Sequence, residues 1–270
     1  MKCSKNFCYA IMIKMKFCAL YFSDDGKPSI FVYGGVDYKD DILSDAYVIT
    51  LEPLFVTLIQ IPLESKKPTV KFFAQFSFNN TLYIWGGCQD SRISNELWSY
   101  NFSSHEWKEM DQGDLIPEGR YSMAYATGDN RLYIFGGISA NGLLNDLWEF
   151  DIQTKQWRAL KIDSGANDPE PCSGAGMFIS NEYAVVFGGD TDREEVYTIK
   201  MFRVKIDVIS PQSWEEVKIA NLDGSESIIP VSRSNFGHAT RVISNETFLY
   251  LFGVKLDVTL KGGSLQPIRK

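Results

Sequence analysis

Few residue types in this 270-residue chain are arranged to do chemistry. It has two histidines, His105 and His238. A catalytic metal centre draws on several His, Cys or carboxylate ligands held together. Two separated imidazoles supply such a site poorly. His238 therefore reads as a satisfied structural histidine, with a base or ligand as the alternative. The five cysteines are odd in number and show no CxxC spacing. That pattern suits free thiols in a reducing compartment, hence the cytoplasm, better than a disulfide framework. No nucleophile elbow, Walker loop or dinucleotide fingerprint occurs. The expectation is a chain with no catalytic residue, no metal and no cofactor.

What remains is charge. Carboxylates gather in turn-like stretches: Asp37, Asp40 and Asp41, then Asp190, Asp192, Glu194 and Glu195. Such clusters are solvated turn surface, or an acidic rim that steers a basic partner and weakens with salt. Basic residues follow prolines in Pro68-x-x-Lys71, Pro117-x-x-Arg120 and Pro230-x-x-Arg233, whereas Pro171-x-x-Gly174 carries none. Tyr38, Arg92 and Arg193 stand in turns of the same kind. A net charge of −7 argues against a phosphate-backbone binder, because no basic footprint is present to release counterions. No run approaches the ~18 apolar residues that would cross a membrane as a helix. Phe7 to Ile13 is apolar but flanked by lysines, and reads as strand rather than leader. The N-x-Ser/Thr triplets at Asn79, Asn101 and Asn245 are chance matches in a cytoplasmic chain.

Positioning these turns requires a repeated frame, and the sequence contains one. Leu132 to Leu160 opens with an alternating apolar run, Leu132 to Phe135, that Gly136 and Gly137 end. Paired glycines there mark backbone a side chain would block, or a close approach by a neighbouring chain. Trp148 and Phe150 mark a second strand, and Trp157 a third. Leu82 to Met110 repeats the offsets with Gly86-Gly87, Trp98, Tyr100 and Trp107; first glycine to last Trp is 21 residues in both. Glycine pairs begin at Gly34, Gly86, Gly136 and Gly188, at intervals of 52, 50 and 52 residues. A degenerate fifth copy ends at Phe252-Gly253, 65 residues after Gly188. A further strand precedes each glycine-pair strand, with small residues such as Ala74, Ala124 and Gly237 that suit crowding around an axis. Each unit is thus four short strands in roughly 50 residues. One such sheet cannot bury both faces, and stacking neighbours around an axis solves this.

From about Lys16 to Gly253 the chain resembles kelch-repeat proteins. The marks are an apolar run before Gly-Gly, then an aromatic and a Trp with six residues between, as in Tyr100 and Trp107 or Phe150 and Trp157. The resemblance implies an all-β kelch-type β-propeller with aromatics packed between blades, in a single domain over 1–270. Four full units, about 16–62, 68–115, 117–165 and 171–222, precede a partial fifth at about 230–261. Tyr47 stands near the Trp98 position and Val56 near the Trp107 slot of the first unit. The fourth unit keeps Gly188-Gly189, Tyr197 and Trp214. Either Val254 to Leu260 and Phe7 to Ile13 close a five-bladed ring, or the chain is part of a six- or seven-bladed one.

The resemblance also implies a role for Arg120 and Arg233, and more weakly Lys71: arginines at that place in some kelch proteins line the mouth and hold acidic peptides. A guanidinium suits bidentate carboxylate contact. The alternative for Arg120 is an ion pair with a loop acid such as Glu118. The leading expectation is a non-enzymatic interaction module. It would grip a protein partner, an acidic segment at the mouth or a basic surface at the acidic rim, through Lys71, Arg120, Arg233, His238, Asp37, Tyr38, Arg92, Asp192 and Arg193. The competing expectation is a carbohydrate-binding or carbohydrate-active propeller, oxidase- or isomerase-like, which the scarcity of histidine disfavours.

Overall fold

A computed structural model describes residues 18–24, 27–37, 39–61, 65–165, 168–192, 200–206, 212–217, 237–243 and 246–252. Among these there is no helix. The first sheet holds β1 (Cys18–Asp24), β2 (Lys27–Tyr33), β3 (Ala46–Leu51) and β4 (Leu54–Ile59). The second holds β5 (Ala74–Phe78) and β6 (Thr81–Trp85), then β9 (Leu97–Asn101) and β10 (Glu106–Glu109). A small hairpin, β7 (Cys88–Gln89) and β8 (Arg92–Ile93), interrupts it. The third comprises β11 (Ala124–Gly128), β12 (Arg131–Ser139), β13 (Gly142–Asp151) and β14 (Gln156–Ala159). The fourth comprises β15 (Gly176–Ser180), β16 (Tyr183–Phe187), β17 (Met201–Lys205) and β18 (Glu215–Glu216). β19 (Gly237–Ile243) pairs with β20 (Glu246–Phe252). Every ladder in these sheets is antiparallel, and each four-stranded sheet keeps its strands in chain order from inside to outside.

The first strands β1, β5, β11 and β15 lie against one another in succession. Small residues allow this: Ala74 and Ala124 are buried there, as expected of an axis-facing strand. The core is therefore a series of interfaces between sheets. Phe31, Tyr33, Ala46 and Val48 meet Phe73, Leu82, Ile84 and Tyr100 between the first and second. Trp85 and Leu97 meet Met123, Leu132, Phe150 and Trp157 between the second and third. Phe135 and Leu147 meet Met177, Val186, Val204 and Trp214 between the third and fourth.

One aromatic contact recurs at each interface. The residue just before a glycine pair meets a Trp of the next unit, on the outer strand for Trp107 and Trp157 and immediately before it for Trp214. The ring centroids are 4.6 Å apart for Tyr33 and Trp107, 5.1 Å for Trp85 and Trp157, and 5.5 Å for Phe135 and Trp214. The expected packing of repeat aromatics between blades is what the chain forms. In the first sheet Tyr47 pairs across to Leu58 and Ile49 to Val56, so Val56 does occupy the Trp107 position.

The glycine pair does not end its strand in the third unit. β12 runs through Gly136-Gly137 to Ser139, with a register shift between Phe135 and Gly137. The pair is a bulge there because β13 is long enough to keep pairing beyond it. Both reasons for glycine hold. At Gly137, φ is +96° and a Cβ would lie 2.9 Å from the Tyr121 carbonyl oxygen. Gly137→Ala is expected to cost upward of ~2 kcal/mol, a left-handed strain plus a backbone clash. A denaturant midpoint within error of the parent would contradict this.

The expected ring-closing segments, Phe7 to Ile13 and Val254 to Leu260, lie outside the described residues, as does Tyr197.

Candidate functional site at the loop end of the sheets

Strand direction puts two kinds of connection at one end: those that follow each glycine pair, and those that lead from one sheet to the next. Asp37, Lys71, Arg92, Arg120 and Asp192 all stand in these connections, and His238 begins β19 at the same end. Tyr38, Arg193 and Arg233 lie outside the described residues, as does the side chain of His238.

The connections are stitched between neighbouring sheets by backbone. Gly87 N–H donates to the Arg120 carbonyl at 2.9 Å, and Gly137 N–H to the Cys172 carbonyl at 2.8 Å. One residue further on, Lys71 bridges to Cys88, Tyr121 to Ile138 and Ser173 to Asp190. The residue equivalent to Lys71 is thus Tyr121, and those equivalent to Arg120 are Val70 and Cys172. Counting from the prolines misaligns them, because the stretch from proline to the first bridge residue differs in length between units. No ring of equivalent basic positions exists among the described residues.

Arg120 is 0% exposed. Its guanidinium holds the Asp146 carboxylate in a two-pronged grip, Nη1 to Oδ1 at 2.5 Å and Nη2 to Oδ2 at 2.9 Å. Nη1 also donates to the Gly136 carbonyl and Nε to the Glu118 carbonyl, both at 3.1 Å. An enclosed guanidinium with its donors committed is a brace between connections, not a mouth-lining group. The acid in the ion pair is Asp146; Glu118 contributes its backbone, while its carboxylate accepts from Asn141 Nδ2 at 2.6 Å. Burial pushes the Asp146 carboxyl up. The hydrogen bond and charge of Arg120, with the Trp148 indole N–H at 2.6 Å, outweigh that and hold it below its ordinary value.

Two other cations are also engaged. Lys71 Nζ is paired with Asp40 and Arg92 with Glu96. The Lys71 pair is partly exposed, so Lys71→Ala is expected to cost under ~1 kcal/mol in thermal unfolding. A loss of several kcal/mol would show the pair to be a structural brace like Arg120.

A motif not singled out from sequence supports this end. An acid two residues before a ring residue accepts from it in three units. Glu96 takes the Trp98 indole N–H at 3.0 Å, Asp146 takes that of Trp148, and Asp45 takes the Tyr47 hydroxyl. Burial, with Asp45 adding to it, pushes the Tyr47 hydroxyl up to about 12. The signal was present as Asp45-x-Tyr47, Glu96-x-Trp98 and Asp146-x-Trp148. Gln112 also went unnoticed. Buried in the second-to-third connection, its Oε1 accepts from both Trp85 and Trp157 at 2.9 and 3.0 Å.

The acids at this end divide into two groups. Asp37 folds its own loop, Oδ1 accepting from the Lys39 and Asp41 N–H groups at 2.8 and 3.0 Å. Asp41, Asp90, Asp190 and Asp192 are exposed and make no ion pair among the described residues. Lys66 and Lys67 flank a side cleft of about 330 Å³ together with Arg92, Glu96, Trp98 and Glu109. No group of three or more His, Cys, Asp or Glu among the described residues could hold a metal. His105 lies at the opposite end, its Nδ1 2.9 Å from the Tyr100 hydroxyl.

A family model described as the KLHDC2/KLHL20/DRC7 Kelch-repeats domain matches residues 20–254. A search of curated proteins found no match.

Proposed function

Because the chain belongs to the kelch-repeat family, we propose that it is a non-enzymatic protein-interaction module whose loop end docks a partner presenting a basic segment. Membership supports protein binding in general; the charge of the partner rests on the loop end itself. One observation carries it. Lys71, Arg92 and Arg120 are each neutralised by an acid of the same chain, while Asp41, Asp90, Asp190 and Asp192 stay exposed and unpaired among the described residues. Lys66, Lys67, Lys161 and Lys200 are the exceptions: Lys66 and Lys67 sit at one cleft beside Glu96 and Glu109, and Lys161 and Lys200 are exposed without an ion pair among the described residues. At Lys71, Arg92 and Arg120 an acidic segment would meet cations already satisfied, and drawing one away would strand its acid. A basic segment meets free carboxylates and gains encounter rate from the net negative field.

A reducing, cytoplasmic setting suits this reading. Cys88 and Cys172 are buried free thiols. Burial, with Asp190 and Glu170 adding to it, pushes the Cys172 thiol up to about 12, so it is no nucleophile.

A fluorescent decalysine peptide tests the charge of the site. Its anisotropy is expected to report saturable binding that weakens about tenfold or more as salt rises severalfold, because exposed charges are screened within about 10 Å at 0.1 M. No binding at low salt, or binding indifferent to salt, would contradict the proposal.

A further inference from the structure

The outer strands of the sheets are not alike. β10 reads Glu-Trp-Lys-Glu, β14 Gln-Trp-Arg-Ala and β18 Glu-Glu, whereas β4 reads Leu-Phe-Val-Thr-Leu-Ile. Cross-strand register aligns them residue by residue. Phe55 stands where the second and third units have Glu106 and Gln156, Thr57 where they have Lys108 and Arg158, and Leu58 where they have Glu109 and Ala159. In the third unit the equivalent cross-strand pair is an ion pair, Arg158 Nη2 to Glu149 Oε2 at 2.9 Å; in the first it is Val48 opposite Thr57. The apolar side chains of β4 are exposed all the same: Leu54 74%, Phe55 44% and Leu58 38%.

Among the described residues β4 pairs only with β3, so its outer edge offers a row of backbone donors and acceptors. Outer strands ordinarily carry charge to prevent pairing, and the other three do. Antiparallel self-pairing of β18 would set Glu215 against Glu216. A central self-pairing of β10 would set Glu106 against Glu109 and cost like-charge repulsion. β4 has no charge to oppose its own copy.

We infer that the outer edge of β4 is a self-association surface, where a second copy of this chain adds its own β4 antiparallel across a twofold axis. The pairing is isologous, so each copy satisfies the other's edge and covers Leu54, Phe55 and Leu58. It lies on the outer edge of the first sheet and is separate from the acidic loop end.

The test grafts the edge of β10 onto β4 in the full chain, as Phe55→Glu, Thr57→Lys and Leu58→Glu together. These residues already occupy the equivalent positions of a folded sheet. Sedimentation equilibrium of the parent is expected to show a monomer–dimer equilibrium, with a dissociation constant raised at least ~10-fold by the graft. Amide exchange over 54–59 is expected to slow with rising concentration in the parent alone. Thr57→Lys by itself, at an exposed site, is a second variant expected to weaken the dimer in the same direction. A monomer at every concentration overturns the inference. So does a dimer that the graft leaves unchanged, or protection of 54–59 independent of concentration, which would place another part of the same chain on the edge.

Discussion

Arg120→Ala is expected to lower stability by about 3 kcal/mol, the lower end of what removing one partner of a buried ion pair costs. Three contacts set the size. The guanidinium is fully enclosed and makes two bonds to Asp146, one to the Gly136 carbonyl and one to the Glu118 carbonyl. Removing it orphans two carbonyls, strips the Asp146 carboxylate of its countercharge and leaves a cavity at the seam between sheets. The figure stays at the lower end because the Asp146 side chain is 42% exposed and can regain water. Lysine is a poor rescue, as a point charge cannot reproduce the planar fork. Denaturant midpoints check this; an unchanged midpoint would return Arg120 to the status of a free ligand-binding group. Linkage gives a second signature. Asp146 is held below its ordinary value in the fold. Its contribution is therefore complete above the unfolded carboxylate value of ~3.9 and is lost as pH falls through the lower, folded value. The stability gap between the parent and Asp146→Asn should be flat above about pH 5 and shrink below about pH 4. A gap that widens in acid would contradict the sign.

Trp157→Ala is expected to cost about 4 kcal/mol, within the range for deleting a buried indole. Trp157 is 4% exposed, and its ring lies 5.1 Å from Trp85 and 5.0 Å from Phe150. Its N–H shares Gln112 Oε1 with that of Trp85. Trp157→Phe should lose less than half as much, since the ring contacts persist and Gln112 keeps Trp85 as a donor. Gln112→Ala strands two buried indole N–H groups and should cost about 2 kcal/mol. A double-mutant cycle between Gln112→Ala and Trp157→Phe should therefore be non-additive. Additive losses would mean that the shared acceptor couples nothing.

The frame was legible because its signals are local and repeated. Gly86-Gly87 and Gly136-Gly137 are required by backbone geometry, and Trp107 and Trp157 by one packing slot, so fixed offsets exposed them. The loop end was harder to read, because its contacts join residues far apart in the chain. Arg120 finds Asp146 across 26 residues, and Trp157 finds Gln112 across 45. The kelch resemblance suggested a ligand-binding arginine with an ion pair as the alternative, and burial against Asp146 makes it a brace. Proline spacing misled for Lys71, since the units are in register at the glycine-pair bridges rather than at the prolines. The acid-x-aromatic pairs were visible and went unread, because an acid before a Trp is unremarkable until three units show the same bond.

The division of labour at the loop end is open to one direct comparison. Decalysine binding and thermal midpoint are measured on the parent, on Arg120→Ala, and on Asp41→Lys, Asp90→Lys and Asp192→Lys combined, below every midpoint. Charge reversal should weaken binding by about tenfold or more with the midpoint nearly unmoved, while Arg120→Ala should lower the midpoint and keep the affinity. If folded Arg120→Ala loses binding and the reversed variant retains it, the arginine is the ligand contact and the acidic face is inert surface.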